Sequence, residues 1–143
     1  MNQKVFRGEL ISYVEQEPKF WDLPVKCNFE MYLQQEISLQ EVAEKIAKID
    51  LQNFMGEEFI KGDLWNKNIN ELSVGQRKKI MICIQAIRDN TILIFDEPNA
   101  ALDDIAIMEL KKWIEKISKQ HIILIVSHDN VYNDIENSLL YEI

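Results

Sequence analysis

Three side chains with acid–base character stand at the ends of apolar runs. Thr91-Ile-Leu-Ile-Phe95 leads straight into Asp96-Glu97-Pro98, and His121-Ile-Ile-Leu-Ile-Val126 into Ser127-His128-Asp129. Such continuous apolar runs predict strands buried on both faces of a parallel sheet. In those sheets ligands bind outside the carboxyl ends of the strands, where Asp96, Glu97 and His128 fall. Asp followed by Glu suits a Mg²⁺–nucleotide site. The first acid holds the ion's water shell and the second polarises an attacking water. Taken alone, Asp-Glu-Pro also reads as a plain strand-to-turn stop.

The surrounding pattern supplies the elements. Gly8 to Val14 predicts a short strand, and Glu15 to Pro24, with two prolines, a loop. Ser38 with Glu41 three residues on is a helix-start signal. Leu39, Val42, Ile46 and Ile49 then recur at helical spacing. Asn53 to Asn70 predicts turns around a short helix. Gln76 to Asp89 predicts a helix with Ile80, Met81, Ile84 and Ile87 on one face, and Ile107, Leu110, Ile114 and Ile117 mark another. Ser138 to Ile143 predicts a last strand. Helix, strand, helix, strand in the second half argues for a parallel α/β sheet.

Composition narrows the function classes. The 143 residues are one domain's worth, with 47% hydrophobic and 28% charged. The net charge of −8, from 16 Lys+Arg against 24 Asp+Glu, argues against a broadly basic nucleic-acid surface. Cys27 and Cys83 have no metal-ligand spacing and predict reduced, buried thiols. No purely apolar run, Ile122 to Val126 included, exceeds five residues, far below the roughly 20 residues of a membrane span, and MNQKVFRGEL has no signal-peptide pattern. A soluble, cytoplasmic chain is expected, with any membrane role exerted through a partner.

The motifs gain weight together. Leu72-Ser73-Val74-Gly75-Gln76 closely resembles the LSGGQ signature of ABC ATPases. Ile92-Leu-Ile-Phe-Asp-Glu97 resembles their Walker B motif, Pro98-Asn-Ala-Ala-Leu-Asp103 the D-loop, Ser127-His128-Asp129 the histidine switch, and Tyr13-Val-Glu-Gln-Glu-Pro18 the Q-loop. Five motifs stand in the family's order over nearly the whole chain. The resemblance implies a partial P-loop-type ABC core: residues 1–16 a core strand and Q-loop, 17–72 an α-helical subdomain, 73–143 the C-terminal half of the ATPase core. It implies neighbouring strands ending in the Q-loop, Walker B and the switch.

The resemblance also implies roles. Glu97 is the expected general base and Asp96 the residue acting on Mg²⁺. His128 is expected at the γ-phosphate, and Gln16 at the metal and the attacking water. Ser73, Val74, Gly75 and Gln76 form the signature loop, whose backbone N–H groups and helix dipole face a γ-phosphate held by the other subunit of a dimer. Ala101, Leu102 and Asp103 belong to the D-loop, with Asp103 at the dimer interface. The implied cofactors are ATP and Mg²⁺. The implied partners are a transmembrane domain and a second nucleotide-binding domain, which place the chain at the inner face of the membrane. Arg77-Lys78-Lys79 reads as a solvated face of the signature helix. Trp65 and Trp113 read as packing residues, as does Trp21, whose place near the Q-loop also suits a partner contact.

Two departures stand out. Val74 replaces the usual glycine, and a β-branched residue tolerates positive φ poorly. So the backbone there is either ordinary or strained. The larger departure is that no G-x-x-x-x-G-K-[ST] phosphate loop occurs in the sequence. The chain resembles the C-terminal part of a nucleotide-binding domain, through gene truncation, a chosen boundary or a split protein. A P-loop supplies most donors to the β- and γ-phosphates, so weak Mg-ATP binding and no turnover are expected of the isolated chain. The switch strand is expected to have an open edge, closed by Leu139 to Ile143 or by an oligomer.

The Q-loop stretch Glu-Pro-Lys-Phe-Trp-Asp-Leu-Pro-Val resembles the exporter pattern, which favours coupling of ATP hydrolysis to transport. Chromosome-organising and DNA-repair ABC ATPases form a rival class, since their D-loop also reads A-L-D-D, as Ala101 to Asp104 do. They separate Q-loop and signature by a long coiled coil, which the stretch between Gln16 and Ser73 is too short to hold. A second rival is a non-catalytic or regulatory module that lends its signature loop to a partner's phosphate loop.

Overall fold

The computed structural model describes residues 11–136 and 138–139. Strand β1 (Ile11–Val14) is followed by helices α1 (Val25–Leu33), α2 (Leu39–Lys48), α3 (Gln52–Met55) and α4 (Glu57–Ile60) and a 3₁₀ turn (Ile69–Glu71). Helix α5 (Val74–Ile87), strand β2 (Ile92–Asp96), helix α6 (Asp104–Ile117) and strand β3 (Ile122–Val126) complete the order. The strands form one parallel sheet in the order β1-β2-β3, with Val14 opposite Phe95 and Asp96 opposite Val126. The mixed α/β architecture and the strand neighbours are those the motifs imply. The expected last strand lies largely outside the described residues. Leu139, which is described, is exposed and not in a strand.

Because side chains alternate along a strand, register decides which residues share a face. Ser12, Val14, Leu93 and Phe95 point to one face and are buried against the helices, joined there by the half-buried Ile123 and Ile125. The opposite face carries Ile11, Tyr13, Ile92, Ile94, Asp96, Ile122, Leu124 and Val126. There the apolar runs depart from the expectation of two buried faces: Ile122 is 63% exposed and Leu124 54%. Among the described residues no helix packs on that side, and β3 pairs only with β2. The residues have strand composition, but burial of the second face needs a layer these elements do not supply.

Local signals explain the helices. Ser38 Oγ accepts from Glu41 N at 3.1 Å and caps α2, whose Val42 and Ile46 are fully buried. Asp103 Oδ1 accepts from Ala106 N at 2.8 Å and caps α6. Helix α1 escapes the periodicity reading. It starts right after Pro24 and buries Val25, Asn28 and Phe29. Asn28 then ties the preceding loop: its Oδ1 accepts from Trp21 N at 2.9 Å and its Nδ2 donates to the carbonyls of Trp21, Leu23 and Pro24.

The helical layer has an aromatic centre of its own. Phe29 lies 5.9 Å from Phe59 and 5.3 Å from Trp65, centroid to centroid. Trp113 on α6 packs edge-on to Phe95 at 6.4 Å and donates its indole N–H to the Ile49 carbonyl. Trp65 and Trp113 are therefore packing residues, and Trp21 is partly exposed. Cys83 is buried and Cys27 half-buried, both free thiols.

Candidate functional site

The carboxyl ends of the three strands converge. Asp96 closes β2, and Tyr13 of β1 donates its hydroxyl to Asp96 Oδ2 at 3.3 Å. Glu97 follows with φ 47°, in the left-handed region, a conformation that β-branched and bulky residues avoid. That turn is held because Glu97 N donates to the Val126 carbonyl at 2.8 Å, extending the β2–β3 ladder by one bond. The Glu97 carboxylate is thereby aimed at the residues after β3. Its Oε1 accepts from His128 N at 3.1 Å and lies 3.4 Å from His128 Nε2. The imidazole is 99% exposed and the carboxylate 18%, so one partner is fixed and the other presented to solvent.

The segment between β2 and α6 is knitted to the same edge. Ala100 N donates to the Glu97 carbonyl and Leu102 N to that of Asn99. Asn99 is buried; its Nδ2 donates to Asp129 Oδ2 at 3.2 Å, and its Oδ1 accepts from the Tyr132 hydroxyl. Burial of Tyr132, with Asp129 beside it, holds its phenol well above its ordinary range. Neither Asn99 nor Tyr132 was singled out as a site residue from sequence. A lone Asn after Pro98 carries no signal until β3 brings Tyr132 to it.

The start of α5 is a capping box. Ser73 Oγ accepts from Gln76 N at 3.1 Å, and Gln76 Oε1 accepts from Ser73 N at 2.8 Å. Gln76 Nε2 reaches Glu58 Oε2 of α4 at 3.2 Å. The Gln76 side chain is thus committed to the fold. The Ser73 oxygen is used as an acceptor, leaving its O–H as a donor. Val74 begins the helix with an ordinary backbone and is 60% exposed, so the strained alternative is ruled out. Gly75 is needed for close approach of the chain itself: a Cβ there would stand 2.6 Å from the Ala101 carbonyl oxygen. Ala101 is in the left-handed region, at φ 69°.

The basic run after the signature corrects the sequence reading. Lys78 is 1% exposed. Its ammonium donates to the Glu15 carbonyl at 3.0 Å and the Gln16 carbonyl at 2.9 Å. Burial holds its pKa below the ordinary lysine value, while the Asp96 and Glu97 charges pull it back up. Arg77 and Lys79 are half-buried: Arg77 Nη1 reaches the Leu72 carbonyl, and Lys79 Nζ lies 5.7 Å over the Phe54 ring. Helical spacing separates the three, so only the one facing the sheet is buried. Gln16 itself is exposed.

These elements define a parallel α/β sheet with an acidic, histidine-bearing edge beside a capped helix N-terminus. The family model described as "ABC transporter" matches residues 2–100, and the chain belongs to that family. It is 28% identical over 120 residues to the ATP-dependent lipid A-core flippase of Francisella tularensis subsp. holarctica, covering 82% of this chain and 20% of the flippase. It is 28% identical over 93 residues to the phosphate import ATP-binding protein PstB of Thermotoga maritima, covering 65% of this chain and 37% of that protein. The chain thus spans about a fifth of the flippase's length.

Solved structures share the fold. The dimeric, post-hydrolysis ATP-binding cassette MJ0796 bound to ADP and Pi superposes with a TM-score of 0.71 at 21% identity, over 92% of this chain and 60% of that one. CbiO1 from Clostridium perfringens, part of the ABC transporter complex cbiONQ, superposes with 0.63 at 23% identity, over 95% of this chain and 53% of that one. Among the described residues no helix is long and apolar enough to cross a membrane.

Proposed function

We propose that this chain is the Q-loop-to-switch part of an ATP-hydrolysing domain that drives transport across a membrane. The observation carrying this reading is the contact of Glu97 with His128 across the ends of β2 and β3. In this reading Glu97, half-enclosed and fixed by the turn at its own backbone, orients and deprotonates the attacking water. His128, presented to solvent, meets the γ-phosphate. Gln16 faces the metal and the water. Residues 17–72 form the helical subdomain that meets the transmembrane domain.

Mg²⁺ keeps several waters and takes one or two carboxylates, and the donors at this edge fit that requirement. Asp96 has Oδ1 left for a metal-bound water after Tyr13 takes Oδ2. When bound, Mg-ATP supplies the phosphoanhydride that is cleaved. Its phosphates need more donors than this edge offers, since the sequence carries no phosphate loop. The signature at Ser73, Val74, Gly75 and Gln76 serves a nucleotide across a dimer: the Ser73 hydroxyl and the N-terminus of α5 donate to its γ-phosphate. Ala101, Leu102 and Asp103 lie on the same dimer face in this reading. The family match, the ADP and Pi held by the MJ0796 dimer and the transporter names of the relatives support it. Export is favoured by the resemblance of the stretch after Gln16 to the exporter pattern.

The test is a thermal-shift titration of the isolated chain with Mg-ATP, with ADP and EDTA controls. Ligand at 100 times its Kd stabilises by about 2.7 kcal/mol, or about 5–11 °C for a domain of this size. No shift at millimolar ATP is expected, and addition of a phosphate-loop-bearing partner restores it. A saturable, Mg-dependent shift of the chain alone overturns this account.

The exposed, intact Ser73 cap favours one second reading, a module that only lends its signature to a partner. Glu97→Gln separates the two in the assembled ATPase. Loss of turnover supports catalysis by this chain. Unchanged turnover with loss in Ser73→Ala supports the donor module.

A further inference from the structure

Lys78 is the only charged side chain fully buried among the described residues. An ammonium carries three N–H donors, and burying it is unfavourable unless it is paired and hydrogen-bonded. Among the described residues Lys78 makes no ion pair with a carboxylate. Its partners are two successive backbone carbonyls, those of Glu15 and Gln16, at 3.0 and 2.9 Å. Asp96 and Glu97 act on it through space, favouring its charge.

This geometry is costly for a purely structural purpose. An apolar side chain of similar length at the same helix position fills the space with no charge to desolvate, but gives up the donor to both carbonyls. What the ammonium adds is direction: two carbonyls must point at one nitrogen. That fixes the peptide planes of residues 15 and 16 where the chain leaves β1, beside the ends of β2. Lys78 also lies on α5 about 7.5 Å along the axis from Ser73, at 1.5 Å per residue. A single helix therefore carries the signature serine at its tip and the clamp on Gln16 little more than one turn away.

We propose that Lys78 is the positioning residue for Gln16: through it the signature helix sets where the Gln16 side chain stands relative to Asp96 and Glu97. The proposal rests on the reading of Gln16 given above.

The full chain suits nuclear magnetic resonance. In the wild type, the Lys78 ammonium is expected to exchange slowly with water and to show through-hydrogen-bond couplings to the Glu15 and Gln16 carbonyl carbons. In Lys78→Met, amide order parameters at residues 15–17 are expected to fall from about 0.85 to below about 0.6, with those of Gln76 and Arg77 unchanged; Lys78→Arg restores order. A fast-exchanging, uncoupled ammonium overturns the proposal, as does a Lys78→Met chain with residues 15–17 as ordered as in the wild type. If Lys78→Met does not fold, the wild-type couplings and Lys78→Arg decide. Gln16→Ala keeps the couplings, because the clamp holds backbone. Couplings present while Gln16→Ala leaves turnover of the assembled ATPase unchanged defeat the reading of Gln16 and leave the clamp in place.

Discussion

The carbonyl oxygen of Ala101 stands over the Cα of Gly75, so close that a Cβ there would lie 2.6 Å away. The start of α5 and the segment after β2 are thereby packed backbone to backbone. Neither side yields easily: Gly75 is in the first turn of a capped helix, and Ala101 is held at positive φ. Gly75→Ala must displace one of them. It is expected to destabilise the chain by about 1–3 kcal/mol, read as a lower urea midpoint with an unchanged slope. A midpoint equal to wild type contradicts the packing described.

Tyr132→Phe probes the network behind Glu97 and His128. It removes the hydroxyl that Asn99 Oδ1 accepts from, leaving a buried acceptor unpaired. Such a loss costs about 1–3 kcal/mol. Equilibrium unfolding measures it. Asn99→Ala combined with Tyr132→Phe is expected to cost less than the two single changes added, because they share one bond.

Ser73→Ala separates capping from phosphate contact. Removal of the cap is expected to cost about 1 kcal/mol, whereas Ser73→Thr, which keeps the oxygen, costs less. In an assembled ATPase, Ser73→Ala also loses the donor to phosphate, so its effect on turnover exceeds what stability explains. Equal turnover of the Ala variant and wild type sinks the role given to Ser73.

Alkaline stability carries a signature of Cys83. Burial holds its thiol above the ordinary value of 9.0, so the folded chain keeps a proton that the unfolded chain releases. The stability this contributes is present below pH 9.0 and is lost as pH rises above it. Tyr132 acts in the same sense above its ordinary 10.0. Lys78 acts oppositely: its folded pKa is lowered, so stability rises with pH between that lowered value and its ordinary 10.5. Comparing variants isolates one group. Cys83→Ala is expected to show a shallower fall of the denaturation midpoint above pH 9.0 than the wild type. An identical slope contradicts the assignment.

Much of this protein is legible along the chain because its signals are local. The cap at Ser38 needs only Glu41 three residues on. Strands β2 and β3 follow from apolar runs, and the acidic and histidine residues after them from where such runs stop. Those residues fix a parallel α/β sheet, the motif order and the family. Helix α1 was not legible, because its start rests on Pro24 and its inner face on the long-range partners of Phe29.

Tertiary structure alone decided the rest, since those facts depend on partners distant in sequence. Lys78 has the composition of a solvated face, and only its place on α5 beneath residues 15 and 16 buries it. Gly75 carries no sequence signal for Ala101, and only the fold brings that carbonyl to where a Cβ would stand. Ile122 and Leu124 are as apolar as core residues, but their exposure was set by which helices pack on which face. A sequence fixes the propensity and chemistry of each residue. Which charge is desolvated, and which backbone atoms meet, is set only when the sheet and helices close on one another.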